Sequence, residues 1–424
     1  LTYVLMLALP KYRPLVALGS ALIFIVSGML PLGDVLPSVD FNVLLMIAGT
    51  MGTVALMIES KMPNLLADII IEKVPNVKWA IVILSLFAGI VSAFIDNVAT
   101  VLMIAPIALA IAKRLDISPV GMIIAIAVSS NLQGAATLVG DTTSIMLGGY
   151  ANMNFLDFFV YQGKPGIFWA VELGALASCL LLLIIFRKET GKIEPGQRTI
   201  VTDYVPTALM LGTVILLIVA SMIPGLPAFL DGMIPGLSRY TNGLICCTLM
   251  IIGVIYSGLR KKSWRGVTEP LKEIDFNTIG LLFGLFIVVG GITEQGVVDA
   301  IGNLFTQLSG GNVFVIYTII TWMSVIFSAF IDNIPYVATM LPVTQGIAAS
   351  LGIDPTLLYF GLLSGATLGG NLTPVGASAN ITGIGILRRE GHEVSNADFF
   401  KIGIPFTLSA IVPAYILIWI LFGM

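Results

Sequence analysis

The chain has 424 residues, 57% of them hydrophobic and only 11% charged, with a formal net charge of −3 and a mean hydropathy of +1.00. A soluble domain carries about 25% charged and about 45–50% apolar residues, so a water-borne globule could not hide this much apolar surface, and lipid is the solvent that fits. With no long basic run, nucleic acid is excluded as a partner. Cys179, Cys246, Cys247 and the single His392 form no disulfide or metal-ligand spacing, so no cofactor and no bound metal are expected.

Apolar stretches run at 1–9, 15–31, 43–58, 79–95, 97–112, 117–148, 166–186, 205–223, 241–259, 278–293, 313–331, 333–350, 355–387 and 403–423. The first reads as the tail of a membrane helix that stops at Lys11. The basic loops hold Lys11 and Arg13, Lys61 to Lys78, Lys113 and Arg114, Arg187 to Arg198, Arg260 to Arg265, and Arg388 and Arg389. The positive-inside rule places them all in the cytoplasm of a cell inner membrane. The segments near 32–40, 148–157, 225–238, 294–312 and 350–355 lack Lys and Arg and fall outside.

Lys78 and Lys113 then lie on one side, although two apolar segments separate them. Both segments are short and meet at a polar tip, Ser92 to Asn97, which predicts a re-entrant hairpin; two full crossings are the alternative. The stretch 117–148 crosses once with a polar middle, which predicts a helix broken at membrane depth and shielded by protein or a cavity.

The sequence SAFIDN occurs at 92–97 and again at 328–333, an offset of 236 residues. At that offset Pro106 matches Pro342, Thr137 matches Thr373 and Val139-Gly140 matches Val375-Gly376. One residue short of it, Asp40-Phe-Asn matches Asp275-Phe-Asn and Glu59 matches Glu294; Asp157-Phe-Phe and Asp398-Phe-Phe close the copies. Equivalent loops carry opposite charge character, so the copies point in opposite directions, as in secondary transporters. The expected fold is an all-α polytopic membrane protein with two inverted-topology repeats and about ten crossings plus two hairpins. Residues 1–165 form the first repeat (hairpin 79–112, broken helix 117–148) and 166–240 connect. Residues 241–402 form the second repeat (hairpin 313–350, broken helix 355–387), and 403–424 the last helix. Short amphipathic segments near 62–73 and 295–308 read as interfacial arms.

Two clusters carry chemistry. At the hairpin tips stand Asp96 and Asn97, and Asp332 and Asn333. A carboxylate at membrane depth is costly and points to function, although each Asp also suits the cap of the following half-helix. In the broken helices stand Asn131, Gln133, Thr137, Gly140, Asp141, Thr142, Thr143 and Ser144, then Asn371, Thr373, Gly376, Ser378 and Asn380. Glycines allow unwinding, and the amides, hydroxyls and freed carbonyls suit a hard cation or a small polar solute. Small-residue packing is the plainer reading, but it has no need of Asn, Asp and Gln together. Asp141 aligns with Ala377, so one copy alone holds an extra acid; with Asp96 and Asp332 it is the candidate for proton or sodium coupling. Three acids without a base favour a cation or a neutral solute over a dianion.

The segments SAFIDNVATVLMIAP (92–106), SNLQGAATLVGDTTSIMLG (130–148), SAFIDNIPYVATMLP (328–342) and GGNLTPVGASANITGIG (369–385) resemble the ion transporter superfamily. The nearest likeness is to its arsenite permease and sodium–proton antiporter (ArsB/NhaD) family, which includes the melanosomal P protein. The resemblance implies inward hairpins, site loops at Asn131 to Ser144 and Asn371 to Asn380, and elevator-type movement as in the related dicarboxylate carriers. The first loop reads Asp141-Thr142-Thr143-Ser144 where the P protein branch tends to show Asp-Pro-Pro-Asn. The expected function is therefore proton-coupled efflux of arsenite or antimonite. Sodium–proton antiport, sodium-coupled anion transport and, from another class, a channel are the alternatives; no nucleophile–base pair suggests an enzyme. Expected partners are the solute, H+ or Na+, membrane lipid and, by analogy, a second copy as a homodimer; a cytosolic ATPase partner stays open. A cysteine at position 95 in the first hairpin should resist an outside reagent in at least one transport state; free outside labelling in every state would refute the hairpin.

Overall fold

The computed structural model describes residues 2–192 and 198–423. Helix α1 (Thr2–Ala8) folds back on α2 (Arg13–Val26), with Thr2 Oγ1 donating to Ser20 Oγ at 2.9 Å. A turn, α3 (Leu32–Val35), leads into α4 (Phe41–Ser60), whose first turn is capped by Asp40 accepting from the Val43 amide. Next come the short α5 (Met62–Ile71), then α6 (Val77–Ser92) and α7 (Asn97–Leu115), which form the first hairpin. The first broken helix is α8 (Val120–Gln133) and α9 (Thr142–Tyr150). A two-residue β-hairpin, Val160–Tyr161 against Lys164–Pro165, precedes α10 (Ile167–Ile185).

Helices α11 (Val205–Met222) and α12 (Leu226–Met233) lead into α13 (Thr241–Lys261) and α14 (Trp264–Lys272). The second set follows: α15 (Phe276–Glu294), the short α16 (Val297–Ser309), the hairpin α17 (Val313–Ser328) and α18 (Asn333–Leu351), the broken helix α19 (Thr356–Gly369) and α20 (Ser378–Arg389), and α21 (Asn396–Phe422). Among the described residues, eight helices are long and apolar enough to cross a membrane; α6 and α17, at 16 residues each, are not.

Repeated motifs turn out to be repeated caps. Asp40 and Asp275 cap α4 and α15, Asn76 and Asn312 cap α6 and α17, and Asp96 and Asp332 cap α7 and α18. Each side-chain oxygen accepts from amides of the first turn, which otherwise have no partner within the helix. The capping reading of the hairpin acids therefore holds, alongside whatever else they do.

The packing proves the inversion. Along α4 and α13, Gly49 meets Cys246 and Leu56 meets Gly253, so these helices run parallel. Along α2 and α15, Ala17 meets Gly284 and Phe24 meets Gly291, again parallel. The chain reverses between α2 and α4, so α13 runs opposite to α2, its equivalent. Likewise α10 and α21 pack antiparallel, with Gly174 against Ala410 and Ser178 Oγ donating to the Phe406 carbonyl at 3.3 Å. Equivalent helices thus point in opposite directions across the molecule.

Two layers result. One is a frame of α2, α4, α11, α13 and α15; the other is a core of both hairpins, both broken helices, α10 and α21. Helices α5 and α16 lie against α7 and α18. The loop after α10 returns to α5, where Arg198 donates to both Glu72 oxygens at 2.6 Å and Thr199 Oγ1 to Asp68 at 2.6 Å. The Arg198 fork holds the Glu72 carboxyl below its usual range. Glu59 at the end of α4 pairs with Lys261 at 2.6 Å, which gives it a structural role.

Between α8 and α9 the backbone leaves the helix at Thr137, and between α19 and α20 at Thr373. Each threonine hydroxyl is hydrogen-bonded to a hairpin-tip carbonyl, Thr137 to Ala93 and Thr373 to Ala329. A Cβ added at Gly140 would stand 2.6 Å from the Gly134 carbonyl and 2.8 Å from those of Ser92 and Ala93. At Gly376 the corresponding distances are 2.6 Å from Gly370 and 2.8 Å from Ser328 and Ala329. Rigid backbone surrounds both glycines. Gly140→Ala and Gly376→Ala should each lose about 1–3 kcal/mol or more, read as a lower melting temperature in detergent. Gly385→Ala, with nothing within 4 Å, should be neutral or mildly stabilising.

Candidate functional site

Four asparagines from four elements close on one another where the broken helices cross. Asn131 of α8 is the hub, fully buried. Its Oδ1 accepts from Asn97 Nδ2 at 3.1 Å and from Asn333 Nδ2 at 3.4 Å, one from each hairpin tip. Its Nδ2 donates to the Thr367 carbonyl at 2.7 Å and to Asn371 Oδ1 at 3.1 Å. Asn371 Nδ2 donates back to the Val128 carbonyl at 2.9 Å. All of these bonds except that between Asn97 and Asn131 tie one repeat to the other, and together they give the buried amides the partners they require.

Beside this hub lies a cavity of about 210 Å³. Its inner wall holds Asp96, Asn97, Asp141, Thr142, Asp332, Asn333 and Ser378. Its mouth is formed by Ile58, Leu102, Glu273, Asp275 and Thr278, at the ends of α4 and α15 that carry the basic loops. A smaller extension runs past Gly140 to Thr50 and Ile145. The first turns of α7, α9, α18 and α20 all meet this wall.

Those four helix starts differ. Asp96 caps α7 through the Val98 and Ala99 amides at 3.0 and 3.1 Å, and Asp332 caps α18 through Ile334 at 3.2 Å. Asp141 heads α9 without capping it; its Oδ2 accepts from Thr143 Oγ1 at 2.8 Å. Ala377 heads α20, so that positive helix end carries no side-chain cap and no acid of its own. One wall of the cavity suits a cation or a proton, and the other suits an oxygen anion.

The remaining sequence candidates stand behind this wall. Thr137 and Thr373 hold the hairpin tips, as described above. Ser144 Oγ donates to the Gly134 carbonyl at 3.2 Å, and Asn380 Nδ2 to the Gly370 and Thr373 carbonyls at 3.1 and 3.2 Å. Gly140 and Gly376 admit the tips, and Thr143 serves Asp141. Gln133 faces away from the cavity, toward Glu172 of α10 at 3.1 Å.

Reading the sequence missed several groups. It found no base at the clusters, yet Arg13 Nη1 stands 3.2 Å from Asp332 Oδ2, both side chains about a fifth exposed. Arg13 looked like a loop residue because it opens α2; the Arg13-Pro14 start of a helix after an apolar run was the available signal. Asp275, noticed only as a repeat marker, lines the mouth with Glu273. Glu172 was passed over, although an acid inside so apolar a segment was visible.

The chain is 30% identical over 428 residues to an uncharacterized transporter of Mycobacterium tuberculosis (strain H37Rv), covering 99% of this chain and 96% of that one. It is 25% identical over 433 residues to the P protein of Homo sapiens, covering 87% of this chain and 52% of that one. In fold it is similar to the crystal structure of the YdaH transporter of Alcanivorax borkumensis, at a TM-score of 0.60 and 12% identity, covering 91% and 87% of the two chains. The predicted superfamily likeness to the P protein is borne out, and the chain is a multi-pass membrane transporter rather than an enzyme. A family profile matches residues 3–365 and 271–424, and by that match the chain belongs to the CitMHS family, described as citrate transporters.

Proposed function

We propose that the chain is an ion-coupled secondary carrier that takes a small oxygen-rich solute through the cavity at the hairpin tips. The observation that carries this reading is the single cavity shared by both tips and both broken helices. By the positive-inside rule its mouth faces the cytoplasm. The hairpin-and-broken-helix core would slide against the frame in an elevator movement, with α5 and α16 as the connecting arms; the layered packing supports that division.

Electrostatics ranks the solutes. Five acids line the cavity: Asp96, Asp141, Glu273, Asp275 and Asp332. The only base touching these groups among the described ion pairs is Arg13, engaged with Asp332. At about 6 Å and an effective dielectric of about 20, two like charges repel by about 3 kcal/mol. A naked tricarboxylate would be rejected. Citrate, the solute named for the family, fits if a divalent cation accompanies it or the acids take up protons: carboxylate oxygens on the open start of α20, cation or proton at Asp141 and Asp96. Arsenite or antimonite is the second reading, since a neutral trihydroxide meets no such repulsion. The amides that would hold it, Asn131, Asn371 and Asn380, already bond within the protein. Sodium–proton antiport needs only the acids.

Liposomes holding purified protein and a lumenal pH dye separate these readings. Proton movement is expected on adding citrate with Mg2+, larger than with citrate alone, and lost at least about tenfold in Asp141→Asn. Movement with arsenite or with Na+ alone would select the other readings, and unaltered coupling in a folded Asp141→Asn protein would remove Asp141 from the role.

The Arg13–Asp332 pair joins frame to core. Arg13→Gln should lower stability by about 1–3 kcal/mol, because a partly buried carboxylate loses its charged partner. Adding Asp332→Asn should recover much of that loss, since Asn still caps α18. A double variant that melts no higher than Arg13→Gln alone would mean that the pair does not matter.

A further inference from the structure

Gln133 belongs to the broken helix α8 but serves a different place. It is 1% exposed, and its amide spans two neighbours. Nε2 donates to Glu172 Oε2 on α10 at 3.1 Å. Oε1 has no partner and lies against α6, where a Cβ added at Gly89 would collide with it. On the same face of α6, one turn to either side of Gly89, Ser85 and Ser92 are fully buried and their hydroxyls also lack partners. Three orphaned oxygens therefore lie along the seam between α6 and α8. Such groups are rare and costly in an interior unless something uses them. Toward the hairpin tip, the seam ends at Ser92, whose carbonyl stands against Gly140, next to Asp141.

Glu172 stands five residues into α10, about 7.5 Å along the helix, near the end remote from the basic loops. Among the described residues it is the one carboxylate within the body of a spanning helix, and no base pairs with it. Among the described residues no ion pair reaches it. Gln133 of α8 is its hydrogen-bond partner; α8 holds no charged residue, and the charges of the other helices packed on α10, Lys78 of α6 and Asp398 and Lys401 of α21, stand in the first two turns of those helices. The second repeat has nothing comparable: Gly369 stands at the position of Gln133, and residues 399–422 hold no Asp or Glu.

We propose that Glu172 is a second proton-binding group of the transport core, and that Gln133 passes its charge state to the first hairpin. As a carboxylate, Glu172 accepts from Gln133 Nε2, as observed. Once protonated it becomes a donor, so the amide turns over to present Oε1 to Glu172. The same turn aims Nε2 at α6, toward the unpartnered hydroxyls of Ser85 and Ser92. One proton taken from water thus gives Oε1 and one of the two serine oxygens a partner, since Ser85 and Ser92 lie about 10 Å apart along α6, and tightens α6 on α8 beside Asp141. That the proton is used in coupling rests on the carrier reading above; that it binds does not.

The test begins with protein in liposomes and no solute, titrated by pH and followed by infrared difference spectroscopy. A carboxylic-acid C=O band present in wild type should vanish in Glu172→Gln and persist with a shifted midpoint in Glu172→Asp. Identical difference spectra in wild type and Glu172→Gln overturn the proposal, whatever the carrier moves. A transport arm then adds the citrate–Mg2+ assay. Glu172→Gln should cut pH-driven accumulation about tenfold, and Glu172→Asp should restore part of it with a shifted pH profile. Glutamine preserves the hydrogen bond to Gln133, so a merely structural Glu172 predicts wild-type behaviour in both arms, and that result also overturns the proposal. If wild type carries none of the solutes, the proposed function fails while the infrared outcome still decides this one.

Discussion

A helix that stops inside an apolar slab releases backbone groups that water cannot reach, and this constraint shapes the protein. Two helices stop here, and their loose ends are satisfied by each other and by the hairpins. Thr137 and Thr373 bind the tip carbonyls, while Asn131 takes amides from both tips at once. Unmet polar groups in hydrocarbon cost several kcal/mol each, so these bonds must persist through any movement of the core. The hairpins and broken helices therefore move as one body if they move at all. The gap beside them is bordered by four helix starts.

Duplication supplied a symmetric frame, and chemistry broke the symmetry. Asp141 matches Ala377 and Gln133 matches Gly369, while Glu172 has no acidic counterpart in residues 399–422. Asp141 and Gln133 belong to the first repeat and Glu172 to the helix that follows it, whereas the arginine at the site answers the second repeat's Asp332. One half thus carries the extra acids; the other has its tip acid paired with Arg13 and no acid at its broken-helix end. A cation with an anion, or a proton with an anion, can be divided between such halves more readily than either ion alone. The belonging of this chain to a citrate transporter family accords with that division.

The cavity mouth adds a further constraint. Glu273 and Asp275 at the start of α15 give the entrance the same sign as the interior. Negative potential in a low-dielectric cleft concentrates cations before any contact with the inner wall.

Much of this was legible in the chain itself. Composition dictated lipid as the solvent, and the doubled SAFIDN with opposed loop charges dictated inverted repeats, because hydropathy and charge asymmetry are local and additive properties. The residues of the inner wall, Asp96, Asn97, Asp141, Asp332 and Asn333, were also legible, since polar groups inside apolar runs announce themselves. Which candidates face the cavity and which brace it was not, for that depends on side-chain direction after two broken helices cross; Asn131, Asn371 and Gln133 turned out to look inward or backward. Nor was the pairing of Arg13 with Asp332, 319 residues apart, because a contact between distant segments leaves no mark on the periodicity of either. The amino-acid sequence by itself determined the solvent, the duplication and the polar inventory; only tertiary packing decided which of those groups share a cavity, since that is set by geometry between helices rather than along them.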